Sequence, residues 1–183
     1  MTPSKDIASI ALFAALIAAL GFMPSMMLPT GVPITAQSLG IMLAGVFLGA
    51  RNGFLAAMLF IFVVAIGMPL LAGGRGGLAV FSSPTAGFVV GFPIAAGLTG
   101  LLMQWFKSFN IYVATALATT LGGIVGLYIC GIGGFMLVTG ANIVKAVTVM
   151  GAFIPGDLLK VAASVMITAA AMRGLPSAVA SRA

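Results

Sequence analysis

The chain has 183 residues, of which 62% are hydrophobic and 5% charged, and its mean hydropathy is +1.28. Soluble domains carry about 25% charged residues, so this composition cannot cover a water-facing surface and instead predicts an integral membrane protein. Six helices of about 20 residues each would use most of the chain, which excludes a large extramembrane domain.

The types of charged residue exclude several classes of function. The absence of histidine and glutamate rules out a Ser-His-Asp triad and an H-E-x-x-H zinc site. No G-x-x-x-x-G-K-S/T segment is present for ATP hydrolysis, and the single Cys130 cannot form an internal disulfide. The basic residues are scattered singly, which does not indicate nucleic-acid binding despite the net charge of +6. We therefore expect no enzyme, no metal site and no cofactor.

Apolar stretches separated by proline, glycine and rare charges predict six transmembrane helices in one domain, residues 1–183. The predicted spans are 7–23, 35–50, 53–71, 83–105, 111–138 and 155–172. The second is short, and the fifth is long enough to tilt in the bilayer. This pattern is typical of an all-α bundle.

The distribution of basic residues predicts the orientation of the bundle. Six spans put both termini on one side, together with five basic residues: Lys5, Arg51, Lys107, Arg173 and Arg182. The loops on the other side hold two, Arg75 and Lys145. The positive-inside rule then places both termini in the cytoplasm.

The first helix carries alanine every four residues, at Ala11, Ala15 and Ala19. This spacing makes a smooth ridge along one helix face, because residues four apart share a face. Small residues allow close helix approach in lipid. The ridge could pack inside the bundle or dock a partner subunit.

Polar residues gather in the three loops predicted on the outer side. The first loop, 24–34, is rich in proline and leads into Gln37, and the second places four glycines around Arg75. The third contains Asn142, which could also simply cap a turn, and leads into the last helix. Arg75 is either a ligand contact that flexible glycines leave accessible or a solvated loop charge.

Two ionisable residues in the first turn of the last helix are the strongest candidates for a binding site. Asp157 and Lys160 are three residues apart and share a helix face. They could be a local pair that compensates the helix dipole, but ionisable groups at membrane depth are costly and usually functional. Tyr128, in the outer part of the fifth span, is either an interfacial tyrosine or a ring that contacts a ligand. Together these groups suit a small, partly apolar solute that bears a carboxylate.

Five segments closely resemble the BioY family, the biotin-binding S components of energy-coupling-factor (ECF) transporters. They are VPITAQSLG at 32–40, LAGVFLGAR at 43–51, AGGRGG at 72–77, SPTAG at 83–87 and FIPGDLLK at 153–160. The resemblance extends in order over nearly the whole chain. It implies a six-transmembrane-helix bundle of the ECF S-component type in a prokaryotic cell membrane. It also implies biotin uptake energised by a separate transmembrane T subunit and two cytoplasmic ATPases.

The resemblance further implies roles for individual residues. The alanine ridge, Ala11, Ala15 and Ala19, would face the T subunit, and Asp157 and Lys160 would recognise the substrate. The ureido group of biotin offers two N–H donors and a carbonyl, which Asp157 and an amide from Gln37 or Asn142 would bind. Its carboxylate requires a cation, for which the sequence leaves three candidates: Arg75, Lys160 and Lys145. Tyr128 would contact the apolar part of the ligand.

Three other functions fit the sequence less well or remain as alternatives. A channel usually needs symmetric rings of charges or carbonyls, for which the chain shows no internal repeat. A membrane enzyme would have to use a lysine or serine nucleophile without an evident base. A proton-coupled or facilitative carrier for a small carboxylate-bearing vitamin stays open as the alternative, because Asp157 could titrate.

Overall fold

A computed structural model describes residues 3–179 and is almost entirely helical, which confirms the predicted all-α class. Arg182 lies outside the described residues. The helices are α1 (Pro3–Gly21), α2 (Gln37–Ala65), α3 (Ala86–Trp105), α4 (Ile111–Ala118), α5 (Leu127–Thr139), α6 (Ile143–Gly151) and α7 (Ile154–Gly174). Short 3-10 segments cover Leu78–Ser82 and Pro176–Ala178, and a π-helical segment covers Thr119–Gly126.

Helix α2 is a helical hairpin that turns at Gly49. A straight helix of 29 residues would be about 43 Å long, yet Gln37 at its start donates a hydrogen bond to the Leu70 carbonyl beyond its other end. Gly49 has φ 77° and ψ −177°, in the region that favours glycine. The two arms lie against each other, since a Cβ atom at Gly53 would be 2.9 Å from the Ala44 carbonyl oxygen. The two arms correspond to the predicted spans 35–50 and 53–71.

The second arm of this hairpin ends at Ala65, earlier than the predicted residue 71. Gly67, at φ 111°, leaves the helical region, and Pro69 cannot donate the backbone hydrogen bond that a continuing helix needs. The residues that follow instead form the turn that carries Arg75.

The long predicted helix over 111–138 consists of α4, the π-helical segment and α5 in direct succession. Glycines in the π-helical segment allow close packing on α3: a Cβ atom at Gly122 would lie 2.5 Å from the amide nitrogen of Thr99. Gly87 of α3 and Gly134 of α5 also contact each other through their backbones. Small residues at these positions bring the two helices together, as is usual in membranes.

The sequence predicted loops at 24–34 and 139–155, where the structure contains short elements. Strands β1 (Met26–Met27) and β2 (Pro33–Ile34) pair antiparallel. Helix α6 packs Ala146, Met150 and the following Phe153 against Val32 of the strand loop. A nine-residue helix and two-residue strands are shorter than the window of about 11–18 residues in which a period is recognised from sequence. Together they cover one end of the bundle.

Five helices of the described region are long and apolar enough to cross a membrane, with the hairpin α2 counted once. Large apolar side chains face outward along them, such as Leu159, which is 73% exposed. At one end of the bundle, Asn52 of the hairpin turn contacts Asp6 of α1, and Arg173 of α7 contacts Tyr112 of α4. The start of α1, the hairpin turn and the end of α7 therefore lie at the same end.

Candidate functional site

A cavity opens at the other end of the bundle, beneath the strands and α6. Its empty volume is about 540 Å³, a value that includes the open solvent at its mouth. Its polar lining consists of Thr35, Gln37, Ser38, Arg75, Thr85, Tyr128, Asp157 and Lys160. Its apolar lining includes Val32, Leu71, Phe88, Val89, Phe92, Leu127 and Phe153. The structure thus brings together five of the seven candidate ligand-binding residues predicted from the sequence.

Asp157 is the centre of the hydrogen-bond network on one wall. It is 6% exposed, and its two carboxylate oxygens accept hydrogen bonds from the Tyr128 hydroxyl at 2.6 Å and the Lys160 Nζ at 2.7 Å. Helix α7 positions it: Pro155 begins the helix in a favourable N-terminal position, and a carboxylate in the first turn is stabilised by the helix dipole.

Lys160 links this network to the first arm of the hairpin. Its Nζ donates to the Ser38 hydroxyl at 2.9 Å as well as to Asp157. An ammonium group has three donors, so one N–H has no partner among residues 3–179. Removing one member of a buried ion pair costs about 3–5 kcal/mol. Both residues line the cavity, and the pair keeps one donor on Lys160 and free lone pairs on Asp157.

Arg75 lies on a tight turn on another part of the wall. Leu71 and Arg75 form an antiparallel bridge, and the intervening Gly73 and Gly74 have φ of 77° and 70°, a conformation that glycine adopts without strain. The glycines predicted to keep Arg75 accessible thus also build the turn that holds it.

The Arg75 side chain is itself oriented by two hydrogen bonds. Its Nε donates to the Ala72 carbonyl at 3.2 Å and its Nη1 to the Thr85 hydroxyl at 3.1 Å. Of the five guanidinium donors, three remain without a partner in the described chain. Burial lowers the pKa of Arg75 from its usual value, but an arginine stays charged at neutral pH. Three donors of a fixed cation suit a carboxylate or phosphate.

Gln37 lines the cavity, but its side-chain amide is hydrogen-bonded to backbone groups. Its Nε2 donates to the Leu70 carbonyl at 3.0 Å and the Ile17 carbonyl at 3.4 Å, and its Oε1 accepts from the Ala72 amide at 3.2 Å. The side chain is 2% exposed. These bonds give Gln37 a structural role, and a direct contact between this amide and a ligand stays a prediction. Gln37 joins α1 to the turn that carries Arg75.

Asn142 and Lys145 lie outside the cavity lining. Asn142 is the N-cap of α6, where its Oδ1 accepts from the Lys145 backbone amide at 2.9 Å, and both side chains are exposed. The geometry gives Asn142 the capping function that the sequence left as its alternative, and it provides no contact between Asn142 and the cavity.

Sequence reasoning missed the residues that complete the cavity wall. Ser38 accepts a hydrogen bond from Lys160, and Thr85 accepts one from Arg75. Ser38 lies in the segment VPITAQSLG and Thr85 in the segment SPTAG, and membership of these family-like segments could have identified them. The rings of Phe88 and Phe153 pack with centroids 6.0 Å apart. Nothing in the sequence distinguishes them from the other phenylalanines, since there are 13 in the chain.

The alanine ridge of α1 faces away from the bundle. Ala11, Ala15 and Ala19 are exposed, whereas Ala14 and Ile17 on the opposite face are buried. The ridge therefore does not pack inside the bundle, and its surface is available to lipid or to another protein.

The fold defines a class of protein, a helical membrane bundle of the type found in the S components of ECF transporters. A crystal structure described as the S-component for biotin from an ECF-type ABC transporter matches the fold with a TM-score of 0.83 and 27% identity, covering 92% of each chain. The BioY family model matches residues 1–177. This chain belongs to the BioY family, as the sequence motifs predicted.

Several relatives are similar over nearly their full length. The biotin transporter BioY of Rhodobacter capsulatus is 46% identical, over 97% of this chain and 98% of the relative. The biotin transporter BioY of Rhizobium etli is also 46% identical, over 94% and 96%. The probable biotin transporter BioY of Bacillus subtilis is 39% identical, over 88% and 87%. These relatives are transporters by name, so this is a multi-pass membrane protein of a transport family.

Proposed function

We propose that this protein is the biotin-binding S component of an ECF-type biotin uptake transporter and that it is not an enzyme. The observation that carries the proposal is the buried Asp157–Lys160 pair in a cavity at one end of a BioY-family bundle. Ionisable groups at membrane depth cost free energy and are usually functional. A cavity with a fixed carboxylate, two cations and phenylalanine walls complements a ligand that has polar groups at both ends.

The polar groups of biotin find partners in this cavity. Asp157 keeps lone pairs that can accept from the ureido N–H groups, and the third N–H of Lys160 can donate to the ureido carbonyl. Tyr128 holds the Asp157 carboxylate in place. Phe88, Phe92 and Phe153 supply apolar surface for the thiophane ring and the aliphatic tail.

Arg75 is the cation that we assign to the biotin carboxylate. It lines the cavity with three donors that no residue of the described chain occupies, whereas Lys160 is engaged with Asp157. Lys145 lies outside the lining. Gln37 acts indirectly, by holding the turn on which Arg75 lies.

Titration of the purified protein with biotin tests this function. We expect saturable binding of one biotin per chain and recovery of chemically unchanged biotin from the complex. Absence of binding under conditions in which the protein stays monodisperse would contradict the proposal.

We infer that uptake is energised by partner subunits: a transmembrane T subunit and two cytoplasmic ATPases. The absence of a P-loop motif in the chain and the exposed ridge Ala11, Ala15 and Ala19 support this arrangement. Uptake in cells should stop when the ATPases are inactivated. It should continue when a protonophore collapses the proton gradient while ATP is maintained. The reverse result would favour the proton-coupled carrier.

We also propose that residues 1–183 form a single transmembrane domain in the plasma membrane with both termini in the cytoplasm. Support comes from the basic residues at the end of the bundle opposite the cavity, Lys5, Arg51, Lys107 and Arg173, together with the positive-inside rule. In this orientation the cavity faces the extracytoplasmic side. Reporter fusions at each terminus should be active only as cytoplasmic reporters.

A further inference from the structure

A shallow groove lies on the outside of the bundle, at the end away from the cavity. It runs between the second arm of α2 and helix α3, where Phe54, Leu55, Leu98 and Leu101 line it and Arg51 closes one end. Gly97 also lines the groove. A Cβ atom at Gly97 would be 3.5 Å from the Cβ of Phe54, an ordinary contact.

Arg51 forms no ion pair within the described residues. Its side chain is exposed and makes no hydrogen bond or ion pair within residues 3–179. Of the two carboxylates of the protein, Asp6 accepts a hydrogen bond from Asn52 and Asp157 pairs with Lys160 in the distant cavity. The five guanidinium donors of Arg51 are therefore available to a group outside the described residues.

The shape and charge of the groove match one class of molecule. Its walls are apolar along their length and carry a single unpaired cation at one end, which is also the end of the hydrophobic span. A phospholipid has the same arrangement, with acyl chains below a phosphate. A guanidinium binds phosphate through paired hydrogen bonds, and the stem of an arginine side chain can lie along apolar surface.

We propose that this groove is a binding site for an anionic phospholipid, with the phosphate on Arg51 and an acyl chain along Leu98 and Leu101. One basic residue near a membrane surface contributes about 1 kcal/mol toward anionic lipid, a preference of about fivefold over a zwitterionic lipid. The groove shares no lining residue with the biotin cavity, so lipid binding here does not depend on the proposed function.

The single tryptophan of the chain provides a reporter for the experiment. Trp105 is 67% exposed and follows Leu98 and Leu101 on the same face of α3, at spacings of seven and four residues. The protein is reconstituted with brominated phosphatidylglycerol or brominated phosphatidylcholine, whose bromines quench a tryptophan they contact. We expect brominated phosphatidylglycerol to quench Trp105 at an about fivefold lower mole fraction.

Three variants locate the site. Arg51→Ala should abolish the preference for phosphatidylglycerol, and Gly97→Leu, which fills the groove, should reduce it although Arg51 is intact. Arg173→Ala removes another exposed arginine at the same end and should leave the preference unchanged. A preference that survives Arg51→Ala, or that Arg173→Ala abolishes equally, would overturn the proposal. A preference unchanged in Gly97→Leu would exclude the groove as the acyl-chain site.

Discussion

Replacing Arg75 with alanine should remove the ability of the protein to distinguish biotin from biotinamide, its neutral analogue. Arg75 lines the cavity and keeps three guanidinium donors without a partner in the described chain, and a hydrogen bond to a charged group contributes about 1.5–3 kcal/mol. The wild-type protein should therefore bind biotin about 10- to 150-fold more tightly than the amide. In Arg75→Ala the two ligands should bind with nearly equal affinity.

The comparison of two ligands separates recognition from structural damage. Arg75→Ala also removes the hydrogen bonds to Ala72 and Thr85. A less ordered turn would weaken the binding of both biotin and biotinamide. Such damage affects biotin and biotinamide alike, whereas loss of the carboxylate contact affects only biotin. Arg75→Lys should keep part of the discrimination, because it keeps the charge but loses the planar fork.

Isothermal titration of the detergent-solubilised protein with each ligand measures the four affinities of this cycle. Lys145→Ala is the matched control, since it removes a cation from the same end of the bundle but outside the cavity lining. Full discrimination in Arg75→Ala would refute the assignment. Discrimination lost in Lys145→Ala would refute it as well.

Three further predictions test the surroundings of the site. Tyr128→Phe removes one of the two hydrogen bonds to the Asp157 carboxylate and should weaken biotin binding about 10-fold, measured by titration. Gln37→Leu leaves three backbone groups without their partner; it should lower the apparent melting temperature and also reduce discrimination between biotin and biotinamide, although Arg75 is intact. Ala15→Leu should abolish co-purification with the T subunit while biotin affinity stays unchanged. The control Ala162→Leu, at an exposed position on α7, should still co-purify with the T subunit. Co-purification of the Ala15 variant would contradict the docking role.

The sequence predicted the charged groups of the cavity better than its shape. Asp157 and Lys160 were identified because charges are rare and costly in a membrane, and their proximity follows from the helix alone. The bonds from Lys160 to Ser38 and from Gln37 to Ala72 join segments distant in the chain. Local patterns contain no information about such contacts, so the structural role of Gln37 could not be predicted.

The same distinction applies to the fold. Long apolar helices were predictable from composition and length, and the predicted spans 35–50 and 53–71 leave only residues 51 and 52 between them. The position of the turn at Gly49 depends on one backbone conformation, which glycine permits but does not require. Helix α6 was not predicted because its nine residues are fewer than the window of about 11–18 residues in which a helical period is recognised, and its position depends on packing against the strand loop.

Binding of biotin by the buried Asp157–Lys160 pair is tested most directly by the biotin affinity of variants at these two residues. Asp157→Asn and Lys160→Ala should each weaken biotin binding by about 10- to 150-fold in isothermal titration, while Lys107→Ala, an exposed lysine at the opposite end, keeps the wild-type affinity. Unchanged biotin affinity in both cavity variants would contradict the account.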